Sequence, residues 1–298
     1  MRNRANKLST RLHDVVKVER LRSIEMSDLC NMVDIGVNLA HRSFQKDRAE
    51  VIQRAFAAGV QSMIITGTSL ATSEAAVRIA REYPNQLFAT AGVHPHDSRN
   101  CSEQTISELR RLAANQEVVA IGECGLDFNR DFSPRPQQEK WFEAQIVLAE
   151  ELQMPLFLHE RDAQQRFCEI LKRARKQVPA VIHCFTGTRD ELKAYLDLGL
   201  HIGITGWICD ERRGMHLREL VKEIPADHLM IETDAPFLLP RTMPTKPKED
   251  RNEPAFLNFV LKTLADCLGK PVDLVALETT RTATEFFRIG RTHKTAAD

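Results

Sequence analysis

The chain has 298 residues, is 43% apolar, and balances 41 basic against 41 acidic side chains. That is ample material for a buried core in one large α/β domain or two ordinary ones, without a global basic field drawing it to nucleic acid. No apolar run approaches the roughly 18 residues of a membrane span, and seven scattered cysteines, none spaced as CxxC, argue against a disulfide framework or a thiolate zinc site and for a cytoplasmic protein.

Residues 1–31 carry charges throughout and a modest apolar periodicity at Leu12, Val15, Val16, Val18 and Leu21. They read as an N-terminal extension that is disordered or not native, either a basic arm or upstream sequence with Met26 or Met32 as the start. From residue 32, short β-rich runs alternate with longer amphipathic ones. The first, MVDIGVNL (32–39), puts Val33, Ile35, Val37 and Leu39 on one face and Asp34, Gly36 and Asn38 on the other, which is expected to face the lumen. Further strands are expected at 62–68, 87–95, 118–127, 155–161, 180–185, 201–207 and 229–236. Between them, segments such as DRAEVIQRAFAAG and QQEKWFEAQIVLAEELQ place apolar residues at helical spacing, and several such segments end in Gly or Pro.

Eight strands with intervening helices predict an α/β fold, a single-domain (β/α)8 TIM barrel over 32–290, for which about 250 residues is typical. An open doubly wound sheet would want GxGxxG after the first strand, and none follows. The Pro-rich, charged run 237–255 reads as a long loop, followed by two terminal helices and a C-terminal tail at 291–298.

Active sites of such barrels form at the C-terminal ends of the strands. There the third expected strand carries His94 and His96, the fourth Glu123 and Asp127, the fifth His159 and Arg161, the sixth His183, and the eighth Glu232 and Asp234. Singly, each has an ordinary reading: a histidine in an apolar strand is more often a hydrogen-bonded core residue than a ligand, and Asp234 suits a cap. Gathered at one rim, two imidazoles and two carboxylates suit a divalent metal, which opens hydrolysis of a phosphate ester, amide or lactone. No nucleophile elbow, P-loop or dinucleotide fingerprint competes. Alternation turns Cys124 and Cys184 away from the lumen, as small core residues.

The segments TAGVHPHD (90–97), VVAIGECGLDF (118–128), MPLFLHERDA (154–163), VIHCFTGT (181–188), GITGWICDERRG (203–214), IETDAPFLLP (231–240) and RNEPA (251–255) together resemble, in order, the TatD family of metal-dependent deoxyribonucleases among the amidohydrolase-like barrels. The resemblance implies a Mg2+-dependent 3'-5' exonuclease on single-stranded DNA, and also RNA, in the repair of damaged DNA, with Zn2+ or Mn2+ as other divalent candidates and a monomer expected. Carried over, Glu123 would bridge or ligate metal, His159 and His183 would ligate, and Asp234 would hold metal and position or deprotonate the attacking water. His94 and Arg161 would lie by the scissile phosphate as cationic donors, and Asn252 and Glu253 would order the loop or bind substrate.

One departure stands out: many relatives carry Asp-x-His-x-His on the first strand, where this chain has Asp34-Ile35-Gly36-Val37-Asn38. That leaves Glu123, His159 and His183 as one full site, with Asn38 or Asp34 as weaker oxygen ligands beside Asp234, a set that favours Mg2+ over Zn2+. The rival is a metallohydrolase of a small amide, ester or lactone, many of which use a Lys where Glu123 stands; a barrel that only binds is a third reading. At the rim, Phe128, Phe132, Phe185, Trp207 and Phe237 are candidates to stack on bases, and Arg130, Arg135, Arg189, Arg212, Arg213 and Arg241 to meet phosphates.

Overall fold

In the computed structural model, which describes residues 31–247 and 249–289, the β-rich runs become eight parallel strands hydrogen-bonded in chain order. They are β1 (Met32–Val37), β2 (Val60–Ile65), β3 (Leu87–Ala91), β4 (Val118–Asp127), β5 (Leu156–Arg161), β6 (Ala180–Ile182), β7 (His201–Ile204) and β8 (Leu229–Ile231). The helices are α1 (Arg48–Ala57), α2 (Leu70–Arg81), α3 (Thr105–Ala113), α4 (Arg135–Leu152), α5 (Gln164–Ala174), α6 (Arg189–Asp197), α7 (Met215–Leu220), α8 (Leu257–Leu268) and α9 (Val272–Phe287). This is the expected (β/α)8 barrel. The expected extension, apart from Asn31, and the tail at 291–298 lie outside the described residues. No described helix is long and apolar enough to cross a membrane.

Most strands end earlier than their apolar runs suggest: β6 stops at Ile182 and β8 at Ile231. Beyond those points the chain leaves the ladder to turn side chains toward the rim. Cys184 and Asp234 sit at φ +49° and +54°, which no strand accommodates.

The expected alternation in β1 also fails, because the register with β2 shifts between Asp34 and Val37. Such a bulge exchanges the two faces of a strand. Before it, Val33 and Ile35 face the lumen, packed with Ile64, Ala120, Phe157, Val181 and Met230, while Asp34 points away. After it, Val37 and Leu39 join the core between sheet and helices, and Asn38 lines the rim. Asp34 is therefore corrected from candidate ligand to seam residue: its carboxylate accepts hydrogen bonds from the Thr233 amide (2.9 Å) and hydroxyl (2.5 Å). With Asp234 N–Gly36 O and Asn38 N–Ala235 O, both 2.8 Å, these bonds join the end of β8 to β1.

A second shift, between Gly122 and Cys124, does the same in β4. Ala120 faces the lumen before it, Glu123 and Asp127 line the rim after it, and Cys124 and Leu126 pack outward under the helices. The lower mouth is plugged by Ala283, Phe286 and Phe287 of α9 together with Ile289.

Candidate metal centre

The C-terminal mouth opens into a cavity of about 700 Å³, and all four residues singled out as ligands line it. The Glu123 carboxylate is the hub. Its Oε1 accepts a hydrogen bond from His159 Nδ1 (3.0 Å) and lies 3.3 Å from His94 Nε2 and 3.9 Å from His183 Nε2. His183 Nε2 is also 3.9 Å from Asp234 Oδ1, which accepts a hydrogen bond from Asn38 Nδ2 (2.9 Å). One ligand atom from each of His94, Glu123 and His159 lies within 4.8 Å of the others, and the same holds for His183, Cys184 and Asp234.

Three carboxylates and two glutamines orient this set. Glu232, fully buried, accepts from His183 Nδ1 (2.6 Å) and from the Cys184 amide (2.6 Å), which fixes the ring and presents Nε2 to the cavity. Asp127 accepts from His96 Nε2 (2.6 Å) and lies 3.4 Å from His159 Nε2, tying the turn after β3 to β5. Glu160 accepts from the Tyr195 hydroxyl (2.5 Å) under the rim. On α4, Gln138 bonds both backbone groups of Asp127 and Gln145 both of Val93, at 2.7–3.2 Å. Position at a strand end singles out neither glutamine. Their signal is two amides seven residues apart on the buried face of an otherwise apolar helix stripe.

Burial opposes charge here; the neighbours override it at Glu123 and His183, and burial prevails at Asp234 and His94. Burial pushes Glu123 up, yet His94, His183 and His159 hold it well below the usual carboxylate range. Burial pushes His183 down, but Glu232 and Glu123 carry it up to about 10. Burial pushes Asp234 up to about 7, with Glu123 and Glu232 adding to the rise. His94 goes down to about 4, through burial and the adjacent His159 and His96, so it is neutral near pH 7 and not the cationic donor expected.

The remaining candidates divide. Arg161 lines the cavity with its Nε buried and no hydrogen-bond partner among the described residues, a donor left for an anionic ligand. Asn252 takes the loop-ordering role and not the substrate-binding one: it is fully buried and spends its amide on Thr233 O (3.0 Å) and Phe237 O (2.7 Å), shaping the loop after β8 away from the cavity. Cys184 is corrected as well, since its left-handed backbone turns it into the cavity wall. Among the rim aromatics, Phe185 is buried in the core and Phe128 packs against it, while Phe132 and Phe237 are exposed and Trp207 lines the cavity.

This donor set fits a divalent cation. Imidazole nitrogens and carboxylate oxygens gather in two adjoining clusters on the cavity wall, and the buried Glu123 and half-buried Asp234 carboxylates have no lysine or arginine paired to either among the described residues.

Residues 33–288 match the model of a family described as TatD related DNase. A curated relative from Rahnella sp. (strain Y9602), named 3'-5' ssDNA/RNA exonuclease TatD, is 52% identical over 259 residues, covering 87% of this chain and 98% of its own. Among solved structures, a TatD family hydrolase from Entamoeba histolytica is 26% identical with a TM-score of 0.79, covering 87% of this chain and 99% of its own. A TatD homologue from Escherichia coli K12 is 27% identical with a TM-score of 0.79, covering 88% and 99%.

Proposed function

The chain belongs to the TatD-related DNase family, and from that premise we propose that it is a metal-dependent 3'-5' exonuclease of single-stranded DNA and RNA. The observation that carries the reading is the unpaired Arg161 donor beside the Glu123 hub: a buried imidazole–carboxylate cluster suits a divalent cation, and a free guanidinium next to it suits a phosphodiester. A neutral amide or lactone gives that guanidinium no charge to meet.

Glu123, His94 and His159 would hold one cation, with His183 and Asp234 holding a second or completing the first. Bound there, the cation supplies Lewis acidity that offsets phosphate charge and lowers the pKa of water. The chain's own groups do the rest. Asp234, held by the Asn38 amide at 2.9 Å and facing the cavity, would take the proton from the attacking water. Arg161 binds the non-bridging phosphate oxygens, where donors already in place stabilise the charge that develops on them. Glu232 and Asp127 keep the His183 and His159 rings in register.

We assign Mg2+ on the strength of the oxygen donors Glu123 and Asp234. Because His94 adds a third imidazole to the set, Mn2+ and Zn2+ are competitors for the same ligands. Trimming damaged 3' ends in the cytoplasm is the role this activity fits.

The test is digestion of 5'-end-labelled single-stranded DNA with Mg2+, Mn2+ or Zn2+, beside Glu123→Gln. The expected result is a ladder shortening from the 3' end, abolished by EDTA and slowed at least about 10³-fold in the variant, or about 4 kcal/mol of lost transition-state stabilisation. Hydrolysis of a cyclic amide or lactone without any shortening of DNA overturns the reading.

A further inference from the structure

Beside the active cavity lies a second cleft of about 340 Å³, and the two share Trp207 and Leu238 as a common wall. Its floor is made by two loops: the turn after β7, with Trp207, Asp210, Arg212 and Arg213, and the loop after β8, with Arg241 and Lys246. Glycine packs the loops this closely. A Cβ on Gly206 would stand 2.2 Å from the Leu238 carbonyl oxygen, and one on Gly214 only 1.8 Å from that of Trp207.

The cleft's charge is arranged. Asp210 accepts from the Arg212 amide (2.9 Å) and Nε (3.3 Å) and pairs with Arg241 Nε at 3.0 Å, so a single carboxylate braces two guanidinium groups from different loops. Arg213 lies over the Trp207 ring at 5.6 Å, and neither Arg213 nor Lys246 has a carboxylate partner among the described residues. Four cations against Asp210 and Asp250 leave the cleft basic in a chain whose formal charge is zero. A solvated surface patch needs no brace, no aromatic wall and no opening into a catalytic cavity.

We propose that this second cleft is the subsite for the nucleotide next to the scissile phosphodiester, with Trp207 stacking on its base and Arg212, Arg213, Arg241 and Lys246 holding its phosphate. Stacking accepts any base, and phosphate contacts accept either sugar, so the subsite reads chain continuity in DNA and RNA alike. The proposal rests on the nuclease reading of the neighbouring cavity.

Two measurements test it. In EDTA, a short oligothymidylate titrated against the full chain should quench the fluorescence of Trp207, since Trp141 is buried; the quench should survive Trp141→Phe and disappear in Trp207→Leu. In turnover with Mg2+, the ratio of kcat/KM for the oligothymidylate to that for bis(p-nitrophenyl) phosphate should fall about tenfold in Trp207→Leu and in Arg213→Ala/Lys246→Ala, with Trp207→Phe restoring most of it. The double variant should also flatten the dependence of log KM on log salt by about 0.7 for each phosphate it no longer neutralises. An unchanged ratio, or equal losses on both substrates, overturns the subsite. If the wild type digests no DNA, the nuclease reading fails, and absence of a quench then rejects the subsite as well.

Discussion

Asp34 shows how a single buried residue couples the barrel seam to pH. Burial pushes its carboxyl from 3.8 up to about 7, against the opposing hydrogen bonds from Thr233. Between about pH 4 and pH 7 the folded chain keeps a proton that the unfolded chain has released, so stability falls as pH rises through that window, by at most about 4 kcal/mol. A carboxamide at this position has no such proton to lose and can donate to the Thr233 hydroxyl. Asp34→Asn is therefore expected to gain stability over the wild type as urea unfolding in EDTA is moved from pH 5 to pH 8. Equal pH slopes would show that the carboxyl ionises freely in the fold. The sequence names Glu123, His159, His183 and Asp234 by their position at strand ends, and the cavity collects all four. Asp34 and Cys184 are misread because each depends on a local backbone departure, a bulge or a left-handed turn, that residue order does not display, and Asn252 turns to the loop through hydrogen bonds to the Thr233 and Phe237 carbonyls that only the folded chain brings within reach.

The register shifts at Asp34/Val37 in β1 and Gly122/Cys124 in β4 carry the architecture of the site. A lumen needs apolar residues at its floor and polar ones at its rim, yet strict alternation would keep one parity throughout. The shifts in β1 and β4 exchange parity midway, so Val33, Ile35 and Ala120 pack the floor while Asn38, Glu123 and Asp127 reach the rim. Gly125, at φ +149°, lies in the shifted half of β4, and a Cβ there would stand 1.8 Å from the His159 carbonyl oxygen. Gly125→Ala is expected to cost about 3 kcal/mol or more in denaturant unfolding and to lower divalent-metal affinity, because it pushes β5 and His159 away from Glu123. A stable variant that binds metal normally would mean that β4 does not set this spacing. The strands themselves are legible as β-branched runs between amphipathic helices. Their parity is not, because a bulge is a property of two paired strands.

At the scale of the molecule, the barrel separates stability from chemistry. The lower mouth is closed by the end of α9, where Phe286 packs beside Phe287 with ring centroids 4.6 Å apart, far along the lumen from the Glu123 rim. Phe286→Ala is expected to lose about 3–5 kcal/mol by leaving a cavity in the plug, measured by urea unfolding. Its kcat on single-stranded DNA, well below the melting temperature, should stay within about twofold of wild type; a large fall in kcat would show the floor coupled to the rim. The amino-acid sequence by itself determined the barrel and brought Glu123, His159, His183 and Asp234 to its rim, because periodicity and strand-end position are local and the barrel maps them onto one end. Only the tertiary structure decided which rim residues face the cavity, that His94 joins Glu123 as a neutral imidazole, and that basic residues from two distant loops meet behind Trp207. Those outcomes depend on bulges, burial and loop-to-loop packing, in which each residue's state is set by neighbours far away in the chain.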